Sequence, residues 1–311
     1  MSPASKIIRL KAKVAALFLI CVFVSYFFLK PIFQRHEKFS SPSFSDSRCQ
    51  KKYQELYNRD RIDIRIVFGY KDARPARFVG DRYERALWLR PLLADCISGE
   101  GACGFARSEG DDELFEKEIA GPDGRPRKVG LRVLQSSVGP DDEENRNDPF
   151  QKWNSERVRK SFLEGLATAD VVFYNGHSRN GGGPDFQPPM IAGNGNVRYK
   201  RYQIEKPGIK ELLSVLEANH QATIKLLGFF SCASTRWFEK PILDLKKGIG
   251  LITNTQLVYF SDALENMTAA LSALLTMKCQ PDFDRILKGG SKADPKSGST
   301  QVGIKSVGLL N

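Results

Sequence analysis

The first long apolar run, from Val14 to Leu29, carries no charge over sixteen residues. Continued across Lys30 through Pro31, Ile32 and Phe33, it reaches the roughly 20 residues that a bilayer core requires. Lys30 can snorkel to the headgroups. Residues 14–33 are therefore expected to be a transmembrane signal anchor. Lys6, Arg9, Lys11 and Lys13 stand before it, and basic residues favour the cytoplasmic side. Residues 1–13 become a cytoplasmic tail, and the rest of the chain lies outside. A cleaved signal peptide would need small residues at its end. The far end here reads Ser25-Tyr26-Phe27-Phe28-Leu29-Lys30, which does not fit. Residues 34–60 are polar and read as a juxtamembrane stalk ending in a short helix.

From Arg61 the pattern changes to strands alternating with helices. Ile62, Ile64, Ile66 and Phe68 recur with period 2, a strand signature. A helix is expected from Asp81, with Pro91 bending or shortening it. Residues 96–128 look like an insertion, with a hairpin turning at Gly121-Pro122-Asp123-Gly124. Val129, Leu131 and Val133 mark the next strand. Val158, Phe162 and Leu166 lie on one helix face, as do Ile209, Leu212, Leu213 and Leu216. Two wholly apolar stretches, 171–174 and 224–230, have the character of central strands buried on both faces. A short helix near 236–245, a strand over 249–253 and a helix from Ser261 follow. The signal weakens after Pro281, and 301–310 reads as an edge strand. Such alternation predicts one α/β domain over 61–311, a three-layer sandwich around a mostly parallel sheet.

Charge adds little to this picture. Of the formal net charge of +11, residues 1–60 hold +7, eleven Lys/Arg against four Asp/Glu. The remaining 251 residues carry only +4, so the basicity flanks the membrane and does not describe a nucleic-acid surface. Outside the anchor stand five cysteines: Cys49, Cys96, Cys103, Cys232 and Cys279. In an oxidising compartment Cys96 and Cys103 can close a local loop, and Cys49 and Cys279 can pair across the chain, although connectivity is not deducible from spacing. An odd number leaves at least one thiol free.

Two apolar strands end alike. One runs Val171-Val-Phe-Tyr-Asn-Gly-His177-Ser-Arg-Asn-Gly-Gly-Gly183, the other Ile224-Lys-Leu-Leu-Gly-Phe-Phe-Ser-Cys232. Ligand sites form at the carboxyl edge of a parallel sheet. If the strands are neighbours about 4.8 Å apart, His177 and Cys232 face one crevice. An imidazole beside a thiol can take its proton and later protonate a leaving amine. The glycines after His177 are expected to let backbone N–H groups approach a substrate.

These two motifs resemble the caspase-like superfamily of cysteine peptidases, which includes caspases, metacaspases, gingipains and legumains. There an apolar strand ends in His-Gly and the next in a small residue followed by Cys. The separation of 55 residues between His177 and Cys232 is close to the ~50 typical of caspases. The resemblance implies a thiolate role for Cys232, an acid/base role for His177, and oxyanion donation by the backbone N–H groups of Ser178 and Cys232. Ser178 stands where the family has Gly. Phe230 stands where caspases carry the Gln of their aspartate pocket, which argues against strict aspartate selectivity. Lys71, Arg74 and Arg236 are candidates to line a pocket for an acidic group.

His36, in the stalk, and His220, past a helix end, fit the constellation poorly. There is no CxxC, HExxH, GxGxxG or P-loop, so no metal or cofactor is expected. Asn266-Met-Thr268 forms a glycosylation sequon, but inside an expected helix. The expected partners are a peptide or protein substrate and the membrane. Two alternatives share the same residues. One is a catalytically inactive caspase-like domain acting as an anchored binding module; the other is a thiol-dependent amidase or acyltransferase on envelope polymers.

Overall fold

In the computed structural model the period-2 segment becomes β1 (Arg61–Phe68), and the same sheet takes in seven further strands. The structure describes residues 44, 46–71, 80–96, 101–219, 224–290 and 304–307. The expected anchor, Arg74 and His220 lie outside the described residues. Among the described residues no helix is long and apolar enough to cross a membrane.

The other strands are β2 (Ala106–Ser108), β3 (Asp111–Ala120), β4 (Pro126–Gln135), β5 (Val171–Asn175), β6 (Leu226–Phe230), β7 (Gly250–Asn254) and β8 (Ile304–Val307). Their spatial order is β2-β3-β4-β1-β5-β6-β7-β8. From β4 to β7 all pairings are parallel, and at both edges they are antiparallel. The sheet is therefore mixed, with a parallel centre. The helices are α1 (Ser47–Leu56), α2 (Asp81–Leu93), α3 (Asp142–Asn147), α4 (Gln151–Thr168), α5 (Tyr199–Glu205), α6 (Pro207–Ala218), α7 (Lys240–Leu245), α8 (Phe260–Leu275) and α9 (Gln280–Gly290).

Side-chain alternation divides each central strand between two cores. Val171 and Phe173 join α1, α2, α8 and α9 on one face. Val172 and Tyr174 join α4, α6 and α7 on the other. Both faces of the central strands are fully buried, which explains why 171–174 and 226–230 read as continuous apolar runs and not as alternation.

Three segments differ from the expectation. The hairpin at Gly121–Arg125 closes with a Gly121 N–H to Arg125 C=O bond of 2.7 Å. Its second arm, however, is β4 itself, paired from Ala120↔Pro126 to Leu114↔Arg132. The supposed insertion thus extends the sheet. α9 escaped the pattern because only Phe283, Ile286 and Leu287 mark its apolar face after Pro281. Proline at a first helical turn forfeits no hydrogen bond. Finally, α1 is the short helix expected at the end of the stalk, but it packs into the domain. Its Cys49, Tyr53 and Leu56 are buried in the core, and a Cys49–Cys279 disulfide ties it to the start of α9. A second disulfide joins Cys96 to Cys103.

Candidate active site

The pairing of β5 with β6 runs from Val171↔Leu226 to Asn175↔Phe230, an offset of 55. His177 and Cys232 differ by the same 55 residues. Each side chain therefore follows its strand end by two residues, on neighbouring parallel strands. The structure brings them to the same carboxyl edge of the sheet, each just beyond one of two neighbouring strands.

Each loop is held by a backbone that only local packing makes tolerable. Beyond His177, Arg179 (φ 45°) and Asn180 (φ 51°) are left-handed, and beyond Cys232 so is Ala233 (φ 48°). Non-glycine residues adopt this region at a cost and persist there when their surroundings fix them. Ala233 is fixed by its N–H, which donates to Gln256 C=O at 2.7 Å. A single π-helical turn, Thr235–Glu239, then leads into α7. Such turns are concentrated at functional sites.

The His177 loop rests on Tyr174. Its hydroxyl donates to His177 C=O (3.0 Å) and accepts from Asp185 N–H (2.9 Å). A Cβ on Gly69 would sit 2.5 Å from the Tyr174 ring, and one on Gly176 would strike its hydroxyl. Glycine at both positions is what admits the ring. The buried Arg179 donates from Nε to Asp185 Oδ2 (2.8 Å), and Tyr202 donates to the same oxygen (3.1 Å). Arg179 also stacks over the Tyr202 ring at 5.7 Å.

The N–H groups of the three glycines after His177 are taken up within the loop itself. The Gly181 and Gly183 N–H groups both bind Ser178 C=O at 2.9 Å, and Gly182 N–H binds Arg179 C=O at 3.0 Å. Gly181 (φ +88°) leaves no room for a Cβ beside Trp237. By contrast, the backbone N–H groups of Ser178 and Cys232 make no hydrogen bond to a described residue. The Ser178 side chain is buried, so it is turned into the protein.

Burial first, then the positive charges of Arg179 and Lys71, hold the His177 imidazole well below the usual histidine pKa. At neutral pH the ring is therefore uncharged, a base able to receive a proton but not a cation that stabilises a thiolate. It makes no hydrogen bond to a described residue. Cys232 is the free thiol among the described cysteines and is half-buried. Its Sγ lies against the Val258 peptide, 3.5 Å from the nitrogen and 3.7 Å from the oxygen.

Lys71 is engaged elsewhere than in an open pocket. Its ammonium binds the fully buried Glu84 and Asn175 Oδ1 (3.0 Å). Beside it, burial raises the Asp81 carboxyl to about 6 against hydrogen bonds from Ser137. Arg236 is exposed and stacks 4.6 Å over Trp237. Among the described residues no cluster of His, Cys, Asp and Glu could hold a metal.

Sequence reasoning missed Glu84, Asn175, Tyr174 and the Arg179–Asp185 pair. Tyr174 and Asn175 were in view within the strand motif, but their partners lie up to 104 residues away. No protein-family model, curated protein or solved structure matches this chain.

Proposed function

We propose that this chain is a membrane-anchored cysteine peptidase of the caspase-like kind, with Cys232 as nucleophile and His177 as base and acid. The observation that carries the reading is the shared offset of 55: the β5–β6 register and the His177–Cys232 separation are the same number. A coincidental His and Cys would have no reason to occupy equivalent positions past two adjacent strand ends.

The chemistry follows from the groups at hand. His177, neutral at rest, takes the Cys232 proton as Sγ bonds to the scissile carbonyl carbon. The carbonyl oxygen becomes an oxyanion, and the N–H groups of Ser178 and Cys232 are the donors free to receive it. The imidazolium then protonates the departing amine, leaving a thioester. Water adds to the thioester after losing a proton to His177, and the thiol leaves with that proton. No metal or cofactor takes part in these steps. Arg236 beside Trp237 is the candidate contact for an acidic substrate group, a role Lys71 can share only through its field because Glu84 holds its ammonium. The anchor over 14–33, with the N-terminus cytoplasmic and the domain outside, completes the proposal.

A second reading is favoured by the Val258 peptide lying on Sγ and by an imidazole without an orienting partner. In it the domain is an inactive binding module. A thiol-dependent amidase or acyltransferase would use the same dyad on a different amide. The test is labelling of the full-length protein by electrophilic peptides, followed by hydrolysis of a peptide library. Cys232→Ala should abolish both, and His177→Ala should reduce hydrolysis by two to four orders of magnitude, about the usual general-base contribution. Labelling that survives Cys232→Ala would refute the assignment. A wild-type protein inert to every peptide and electrophile would favour the binding module, and turnover confined to non-peptide amides the amidase.

A further inference from the structure

At the amino-terminal ends of β6 and β7, on the sheet edge opposite the dyad, lies a cleft of about 250 Å³. It is lined by Lys52 and Glu55 of α1, by Lys225 just before β6, by Lys247 and Gly248 just before β7, and floored by Tyr53 and Leu56. None of the three ammonium groups makes an ion pair or hydrogen bond to a described residue. Several other basic side chains of this domain are held by carboxylates, as in Arg157–Glu113 (2.7 Å) and Arg132–Asp111 (2.8 Å). Three lysines, from three separate segments, converge on one concavity, with the Lys225 charge also acting on Asp170. A fourth, Lys246, is half-buried beside them and donates to Asn219 C=O. Burial and the neighbouring charge of Lys225 lower its pKa. The carboxylates in reach are Glu55 and Asp170, and Asp170 already accepts from Asp63 N–H at 2.9 Å.

Like charges held together in a cleft raise the local potential and favour an anion there. We propose that this cleft binds the phosphate of an anionic lipid headgroup and so seats the domain on the membrane by its amino-terminal sheet edge. Charge complementarity supplies the ligand class. The choice of a lipid over a soluble phosphate comes from α1, which contributes Lys52. It begins at Ser47, only about a dozen residues beyond the expected anchor, and a chain that long reaches at most ~45 Å. This choice rests on the anchored reading proposed above, in which α1 is tethered close to a bilayer. The seating has a consequence for the dyad. From Lys225 to Cys232 the chain runs along β6 for about 23 Å, so Cys232 faces away from the lipid and toward substrates in the aqueous phase. The cleft's chemistry is independent of whether the dyad is active.

The test is lysine footprinting of the full-length protein with limiting acylating reagent, read by mass spectrometry. The protein is carried in nanodiscs of phosphatidylcholine alone or with 30% phosphatidylglycerol. Protein that does not enter nanodiscs is mixed with vesicles of the same compositions, which separates failure of the anchor from failure of the cleft. Phosphatidylglycerol should slow acylation of Lys52, Lys225 and Lys247 about fivefold or more each. Lys210 on α6 should not change, and 0.5 M NaCl should reverse the protection. In Lys52→Gln/Lys247→Gln, which keeps both disulfides, protection of Lys225 should fall away. Equal protection in pure phosphatidylcholine, protection by 10 mM inorganic phosphate without anionic lipid, or no protection at all would each overturn the proposal.

Discussion

Replacing Tyr174 with phenylalanine separates the packing of the site from its hydrogen bonding. The ring neighbours Phe162, Phe186 and Phe229, at centroid distances of 5.9, 5.6 and 6.2 Å, keep their contacts. What disappears is one oxygen that donates to His177 C=O and accepts from Asp185 N–H. Asp185 is buried, so its N–H is left without a partner. An unpaired buried polar group costs about 1–3 kcal/mol. A loss of about 2 kcal/mol in unfolding free energy is therefore expected, near 5 °C in Tm for a domain of this size. The second effect is on the site. Because the imidazole has no orienting bond of its own, the backbone bond from Tyr174 is what fixes its origin. Freed, His177 should sample other positions, and labelling of Cys232 by peptide electrophiles should fall roughly tenfold, since small misplacements are costly in catalysis. Alkylation by iodoacetamide, which needs no substrate alignment, should change little. Urea unfolding followed by tryptophan fluorescence gives the first quantity, and time-resolved mass spectrometry of the labelled protein the second. A variant within 0.5 kcal/mol of wild type that labels at the same rate would refute the structural role given to Tyr174.

Two further outcomes follow from named features. Because the folded His177 pKa is depressed, its contribution to stability is present above the unfolded value of about 6.5 and is lost as pH falls below it, where the unfolded chain takes up a proton. Urea titrations from pH 8 to pH 5 should show a smaller acid loss in His177→Gln than in wild type, and identical slopes would refute the neutral, half-buried ring. The Cys49–Cys279 disulfide spans a sequence separation of 230, for which loop-closure entropy gives about 5 kcal/mol at most. Calorimetry of Cys49→Ser/Cys279→Ser should show a loss of several kcal/mol, and a loss under 1 kcal/mol would mean that the buried face of α1 suffices.

Local pattern was enough for everything that depends on a side chain's own neighbours in the chain. The strand over 61–68 is written as alternation because a residue's face in a strand alternates by geometry alone, and those over 171–175 and 226–230 as continuous apolar runs because both their faces are buried. His177 and Cys232 were legible for the same reason, each standing where an apolar run stops, and their separation of 55 already contained the register. The parallel centre followed from strands alternating with helices. Tertiary structure decided what those residues meet. Asn175 and Lys71 are 104 residues apart, Arg179 needs Asp185 and Tyr202, and α1 reaches Cys279 across 230 residues. None of these partners is implied by any local period, because a buried polar group is satisfied by whatever the fold brings near it. The glycines after His177 illustrate the limit. Their sequence admits open backbone for a substrate or close internal packing equally well, and only the positions of Trp237 and Ser178 C=O select the second. The histidine's charge state was likewise invisible, since burial and two cations from separate segments, Lys71 and Arg179, determine it.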